Sequence, residues 1–229
     1  MKRKEIIYEF FNKTDNYLNK NFGVVIRTKI IKDILGFKSN KDILDVGCGD
    51  GSITLDYGKN NNLFLIDQSK NMLDLAKINA NKKDIKNINY NNLKFEKFIP
   101  KKNKYDIIIA LGLLAHVESI HITFTKLISC LKNDGMIILQ YSDYDKILTK
   151  INLYFSNKVY KKNKINQKLI NLILKKNKLM ISHKIRYSFL PPGIGLLSNE
   201  QLYSLTMETY QNKFLSKFGT EIICVIKNK

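Results

Sequence analysis

The sequence predicts an α/β chain in which a mostly parallel sheet is covered by helices on both faces. Three observations predict it. Five short β-rich runs, "KDILDV", "NLFLID", "NINYNNL", "YDIIIAL" and "GMIILQYS", alternate with stretches long enough for helices. The first run opens straight into "GCGDG" at 47–51, with a glycine at every second position. Between the second and third runs, Ser69 stands as a cap before "KNMLDLAKINANKK", where Met72, Leu73 and Ala76 share one helical face.

In chain order, residues 5–18 place Ile6, Ile7, Phe10, Phe11, Tyr17 and Leu18 at spacings of three and four, and a second helix covers "VVIRTKIIKDIL". After the fourth strand, "FTKLISCL" forms a helix that "NDG" at 133–135 ends and turns into the fifth strand. Beyond about residue 145, "YDKILTKINLYFSNKVYKKNKINQKLINLILKKNK" reads as two helices with lysine-rich outer faces, followed by a strand, "LMISHKIRYSF". "PPG" at 191–193 halts that strand, Ser198 caps one more helix, and "TEIICVIK" closes the chain as a strand. There is no low-complexity linker and no internal repeat, so a single domain over 1–229 is expected, with a helical cap (1–40), a core (41–142) and a lid with the final strands (143–229).

Composition removes several function classes. The formal charge of +19 suggests a polyanionic partner, yet Arg3, Arg27 and Arg186 are the only arginines. The cationic charge is nearly all lysine, beside abundant asparagine and isoleucine, which is the usage of an A/T-rich genome, and nucleic acid is not the expected partner. Cys48, Cys130 and Cys224 are odd in number and unpatterned, so neither disulfides nor a metal site is expected. No apolar run reaches 18 residues and charges interrupt the first twenty, so a soluble, cytoplasmic protein without a transmembrane segment is expected.

Alternate glycines after a buried strand permit a tight turn and let a ligand lie against bare backbone. A dinucleotide fold needs G-x-G-x-x-G, but Ser52 occupies its third glycine position, and Asp45 and Asp50 would crowd a pyrophosphate with negative charge. A cationic ligand suits those aspartates better.

"LDVGCGDG" resembles the first motif, [D/E]-x-G-x-G-x-G, of the class I S-adenosylmethionine-dependent methyltransferases. The resemblance covers roughly residues 40–142 and implies a three-layer α/β/α Rossmann-like fold, with a seven-stranded sheet whose last strand is antiparallel. It implies S-adenosyl-L-methionine as cofactor, with S-adenosyl-L-homocysteine as product. Asp45, Gly47, Cys48, Gly49 and Gly51 would then line the amino-acid end of the cofactor. Asp67, twenty residues past Gly47, would accept the ribose hydroxyls, with Gln68 and Met72 beside it. "NINYNNLKF" nominates Asn91, Asn92 and Leu93 for the adenine, although the family often has an acidic residue there. "YDIIIALGLLAHVES" resembles the fourth motif, with Ala110 and Leu111 beneath the methyl group. Arg27 is a candidate partner for the cofactor carboxylate.

His116, just after the fourth strand, is the candidate catalytic base or acceptor-positioning group. Tyr141 and Tyr144, after the fifth strand, and Tyr17, in the N-terminal helices, are candidates to bind substrate. No N/D-P-P-Y/F follows the fourth strand and no paired catalytic cysteines exist, so adenine amino-methylation and pyrimidine carbon methylation are not expected. The expected reaction is O- or N-methylation of a small polar acceptor such as a sugar, a glycan precursor or another metabolite. An RNA or tRNA methyltransferase and a non-catalytic scaffold stand as alternatives.

Overall fold

The computed structural model describes residues 3–13, 22–156, 161–188 and 197–229. Its sheet has seven strands, β1 (Asp42–Val46), β2 (Asn62–Asp67), β3 (Ile88–Asn92), β4 (Tyr105–Ala110), β5 (Leu131–Ser142), β6 (Leu179–Tyr187) and β7 (Glu221–Asn228). They lie in the order β3-β2-β1-β4-β5-β7-β6. β7 runs antiparallel to both β5 and β6, so six strands share one direction and β7 alone is reversed. This is the sheet the sequence leads one to expect.

Side chains alternate across the strands, so the sheet has two apolar faces and each is covered. Leu44, Val46, Ile108 and Leu139 pack with Phe124 and Leu127 of α4 (Ile120–Cys130) and Ile170 of α6 (Gln167–Lys176). Ile43, Leu65, Ile107 and Ile138 pack on the other face, against Ile26 and Ile30 of α2 (Phe22–Leu35) and Ala76 of α3 (Lys70–Lys82). α1 (Arg3–Asn12) packs on α3, and α7 (Asn199–Gln211) on α2 and β6. α5 (Ile147–Ser156) lies between β5 and α6 in the chain.

Two elements differ from the sequence reading. The glycine run does not open an α-helix but leads through turns into a 3-10 helix, Leu55–Asn60. Ten residues separate Gly51 from Asn62, and Gly58 is wedged so tightly that a Cβ there would collide with Ile85 Cγ2. Further on, α4 ends at Cys130 and the chain becomes extended at once, with the pairing of β4 and β5 slipping between Tyr105↔Leu131 and Ile107↔Met136. "NDG" therefore forms the irregular part of β5, where a Cβ on Gly135 would come within 3.0 Å of the Asp106 carbonyl oxygen. The part of the first predicted helix beyond residue 13, and "PPG", lie outside the described residues.

Candidate functional site

The strand order reverses between β1 and β4, which opens a crevice at the carboxyl ends of the strands. A cavity of about 390 Å³ occupies it. Its wall takes Gly47 and Gly49 from the turn after β1, Asp67 from the end of β2, Leu93 from the end of β3, and Gly112 and His116 from the segment after β4.

The glycine turn is held by its own backbone. Gly47, Gly49 and Gly51 have φ of 74°, 56° and 76°, in the left-handed region that glycine enters without strain. The N–H groups of Gly47 and Cys48 both donate to the Ile66 carbonyl, at 2.8 and 3.1 Å, which fastens the turn to β2. Asp67 then ties the turn to the next helix: Oδ2 accepts from Gly49 N–H at 2.9 Å and Oδ1 from Ser69 N–H at 2.8 Å. Ser69 itself caps α3, accepting from Met72 N–H at 3.2 Å. A carboxylate offers about four acceptor sites, so Asp67 keeps acceptor capacity beyond its backbone bonds. Burial raises the Asp67 carboxyl above the usual range, and the backbone N–H bonds oppose that rise.

The two aspartates flanking Gly-Cys-Gly fold the turn. Asp45 is only 4% exposed and accepts a short hydrogen bond from the Thr54 hydroxyl. Burial pushes its carboxyl up to about 7 against that bond, with the negative Asp67 and Asp50 adding to the rise. Asp50 accepts from Ser52 N–H and Oγ–H at 3.2 and 2.7 Å.

At the opposite end, Gly112 enters the left-handed region with φ 70° and starts the 3-10 turn Leu113–Ala115 that delivers His116. Burial, then the positive charges of Lys162 and Arg3, drive the His116 imidazole from its ordinary 6.5 down to about 3. A neutral imidazole at pH 7 can accept a hydrogen bond but holds an abstracted proton poorly. Behind Gly112, the buried Gln140 amide donates to Glu221 Oε2 at 2.6 Å, and its Oε1 has no hydrogen-bond partner among the described residues.

Of the residues nominated from sequence, Arg27, Gly47, Gly49, Asp67, Gln68, Met72, Leu93, Leu111 and His116 line this one cavity. Others stand behind the wall. Cys48 and Ala110 are buried, and Gly51 is pressed against Leu55, whose Cδ1 would lie 2.9 Å from an added Cβ. Asn91 bonds to Asn89, while Asn92 donates to the carbonyls of Asp67 and Gln68 at 3.1 and 3.0 Å and so orders the loop. Tyr141 lies in the core on the α4 and α6 face, its hydroxyl donating to Gln167 Oε1 at 3.0 Å. Tyr144 carries Lys164 and Lys150 over its ring, at 5.0 and 5.7 Å from the centroid. Neither tyrosine reaches the cavity wall, and Tyr17 lies outside the described residues.

The cavity also takes residues that sequence reasoning missed, among them Phe10, Val24, Phe95, Glu96 and Lys162. The loop bearing Phe95 and Glu96 is held by Lys126, whose ammonium donates to the carbonyls of Phe95, Glu96 and Phe98. Its position directly after "NNL" was the available signal. For Lys162, one lysine in "YKKNK", there was none.

The lining suits S-adenosylmethionine on three counts. The turn offers bare glycine backbone, Asp67 keeps acceptor capacity for a vicinal diol, and Ile66, Met72 and Leu93 form an apolar wall beside it. Residues 37–213 match the family model described as "Methyltransferase domain". The chain belongs to that family. Among curated members, the ubiquinone biosynthesis O-methyltransferase of Rickettsia typhi is 30% identical over 148 residues, 59% of each chain. That of Coxiella burnetii is 33% identical over 93 residues, 40% of this chain and 39% of the relative. The chain thus spans less than two thirds of the length of these relatives. In fold, this methyltransferase-family chain is similar to the magnesium protoporphyrin IX methyltransferase of Synechocystis, solved with bound S-adenosylhomocysteine. The TM-score is 0.70 at 16% identity, covering 99% of this chain and 100% of the other. No helix among the described residues is long and apolar enough to cross a membrane.

Proposed function

We propose that this chain transfers a methyl group from S-adenosylmethionine to an oxygen or nitrogen of a small polar molecule. The observation that carries this reading is the bonding of the glycine turn to Asp67 at one end of a cavity whose other end is built around His116. Asp67 would hold the ribose hydroxyls, Gly47 and Gly49 would admit the amino-acid end, Arg27 would pair with its carboxylate, and Met72 and Leu93 would pack the adenine. When bound, the cofactor supplies an electrophilic methyl group on a sulfonium whose departure leaves a neutral thioether.

The chain's own part is alignment and exclusion of water. Leu111, Leu113 and Val117 give the acceptor end apolar walls. His116, held neutral, accepts a hydrogen bond from the acceptor and fixes the direction of its lone pair. The relatives named O-methyltransferase favour oxygen as the acceptor atom.

Incubation with methyl-labelled S-adenosylmethionine, the small-molecule fraction of a cell extract and, separately, total RNA tests the reading. Label in a small molecule supports it. Label in RNA, or in neither, contradicts it.

A further inference from the structure

We propose that Gln140 is a specificity-determining residue: its amide oxygen, beside Gly112, takes a hydrogen bond from an O–H or N–H group of the methyl acceptor. This assignment rests on the methyl-transfer reading and deepens it.

Gln140 lies near the end of β5, on the face of Ile138, and is only 4% exposed. Its amide is oriented by chemistry. Nε2 donates to Glu221 Oε2 at 2.6 Å, and the Ser142 hydroxyl donates to the other carboxylate oxygen, Oε1, at 2.5 Å. A carboxylate only accepts, so turning the amide over would press the Gln140 oxygen against Glu221 Oε2 with no proton between them. The Gln140 oxygen is therefore held on the side away from Glu221, where it has no hydrogen-bond partner among the described residues.

The space beside that oxygen belongs to the wall of the site. Gly112 lines the cavity between Leu111 and Leu113, in the left-handed backbone region. A Cβ built on Gly112 would find, among the described residues beyond its two chain neighbours, one atom within 4 Å, and that atom is Gln140 Oε1 at 3.8 Å. The place is open to a group the size of a methyl. A donor atom there needs to come only about 1 Å nearer to reach hydrogen-bond distance.

A buried amide oxygen without a donor is destabilising, and an apolar side chain of similar length would fill position 140 without that cost. An arriving donor removes the cost, and the pinned amide sets its terms. Because Nε2 is committed to Glu221, Gln140 offers the ligand an acceptor and nothing else. An aprotic group leaves the oxygen orphaned, and an anion meets the Glu221 carboxylate behind it. Sites built to hydrogen-bond a substrate O–H or N–H reject the analogue lacking it more strongly than apolar pockets reject a missing methylene.

The test uses benzyl alcohol and benzyl methyl ether, titrated into protein loaded with S-adenosylhomocysteine and labelled with carbon-13 at glutamine Cδ. The Gln140 resonance is identified by its absence in Gln140→Met. The expected result is that the alcohol binds about three- to tenfold tighter than the ether and moves the Gln140 Cδ resonance, whereas the ether does not. The preference should vanish in Gln140→Met, a readout that a merely structural glutamine would leave unchanged. Glu221→Gln, which still accepts from Nε2, should keep the preference, and Glu221→Met, which frees the amide to turn, should lose it. Equal affinity for the two probes in the wild type, the same preference in Gln140→Met, a Cδ resonance unmoved at saturating alcohol, or no binding of either probe at millimolar concentration would overturn the proposal. Affinity for S-adenosylhomocysteine, measured on each protein, separates the two claims. Its absence in the wild type defeats the methyl-transfer reading and this assignment with it, whereas its presence without discrimination between alcohol and ether defeats only the role of Gln140.

Discussion

Two side chains, the half-buried His116 and the buried Asp45, give opposite responses to acid. His116 has its folded value pushed from 6.5 down to about 3, so the unfolded chain binds more protons between those limits. Its contribution to stability is complete above pH 6.5 and is lost as pH falls toward 3. Asp45 is raised from 3.8 to about 7, so its contribution is complete below pH 3.8 and is lost as pH rises through 7. Thermal unfolding against pH resolves the pair. Asp45→Asn, which can still accept from Thr54, should gain on the wild type as pH rises from about 4 to 8, by ~1 kcal/mol or more, which is about 2–4 °C in Tm for a chain of this size. His116→Asn should flatten the loss on the acid side. A bell-shaped rate profile with a limb near pH 6.5 that disappears in His116→Asn would show instead that His116 titrates as a base.

Among the elements, the short connections position the site more than the long helices do. The segment 161–163 is anchored by two side chains, Arg3 and Asn163, and Asn163→Ala removes both side-chain hydrogen bonds to the 113–117 turn, at Leu114 and Val117, and the one that its Oδ1 accepts from Arg3. The expected cost is about 1–3 kcal/mol, seen as a lower Tm, together with faster amide exchange at His116, whose N–H closes its turn onto Leu113. A second contact lies where β7 begins. A Cβ on Gly219 would sit 2.6–2.9 Å from backbone atoms of Tyr187, which cannot move as a side-chain tip can. Gly219→Ala should therefore destabilise by about 1–3 kcal/mol in denaturant titration, and more if β6 must shift. Both contacts were hidden in the sequence, because they join residues far apart in the chain, 46 and 49 for the Asn163 bonds, that follow no periodic pattern. The glycine turn was legible for the converse reason: its backbone demand is local and only glycine meets it.

Across the whole molecule, legibility follows the range of the interaction. The strands could be read because alternating or continuous apolar runs report their own burial, and the reversal at β7 followed from resemblance to a known fold. Tyr141 shows where strand-end position misleads. It shares a face with Leu139 and points into the core, while Gln140, one residue earlier, turns toward the face of Ile138 and approaches Gly112. The parity of the strand was visible in the sequence; which face met the cavity was not. Lys162 reaches the site through docking of a loop against α1 and the His116 turn, and nothing distinguishes it locally from its lysine neighbours.

The glycine turn and Asp67 form the proposed site for S-adenosylmethionine. Calorimetric titration with S-adenosylhomocysteine tests it most directly, on the wild type and on Asp67→Ala shown by circular dichroism to be folded. The predicted result is micromolar binding that weakens by about ten- to a hundredfold in the variant, the cost of losing hydrogen bonds to a charged group. No heat of binding from the folded wild type at millimolar ligand, or equal affinity in both proteins, would contradict it.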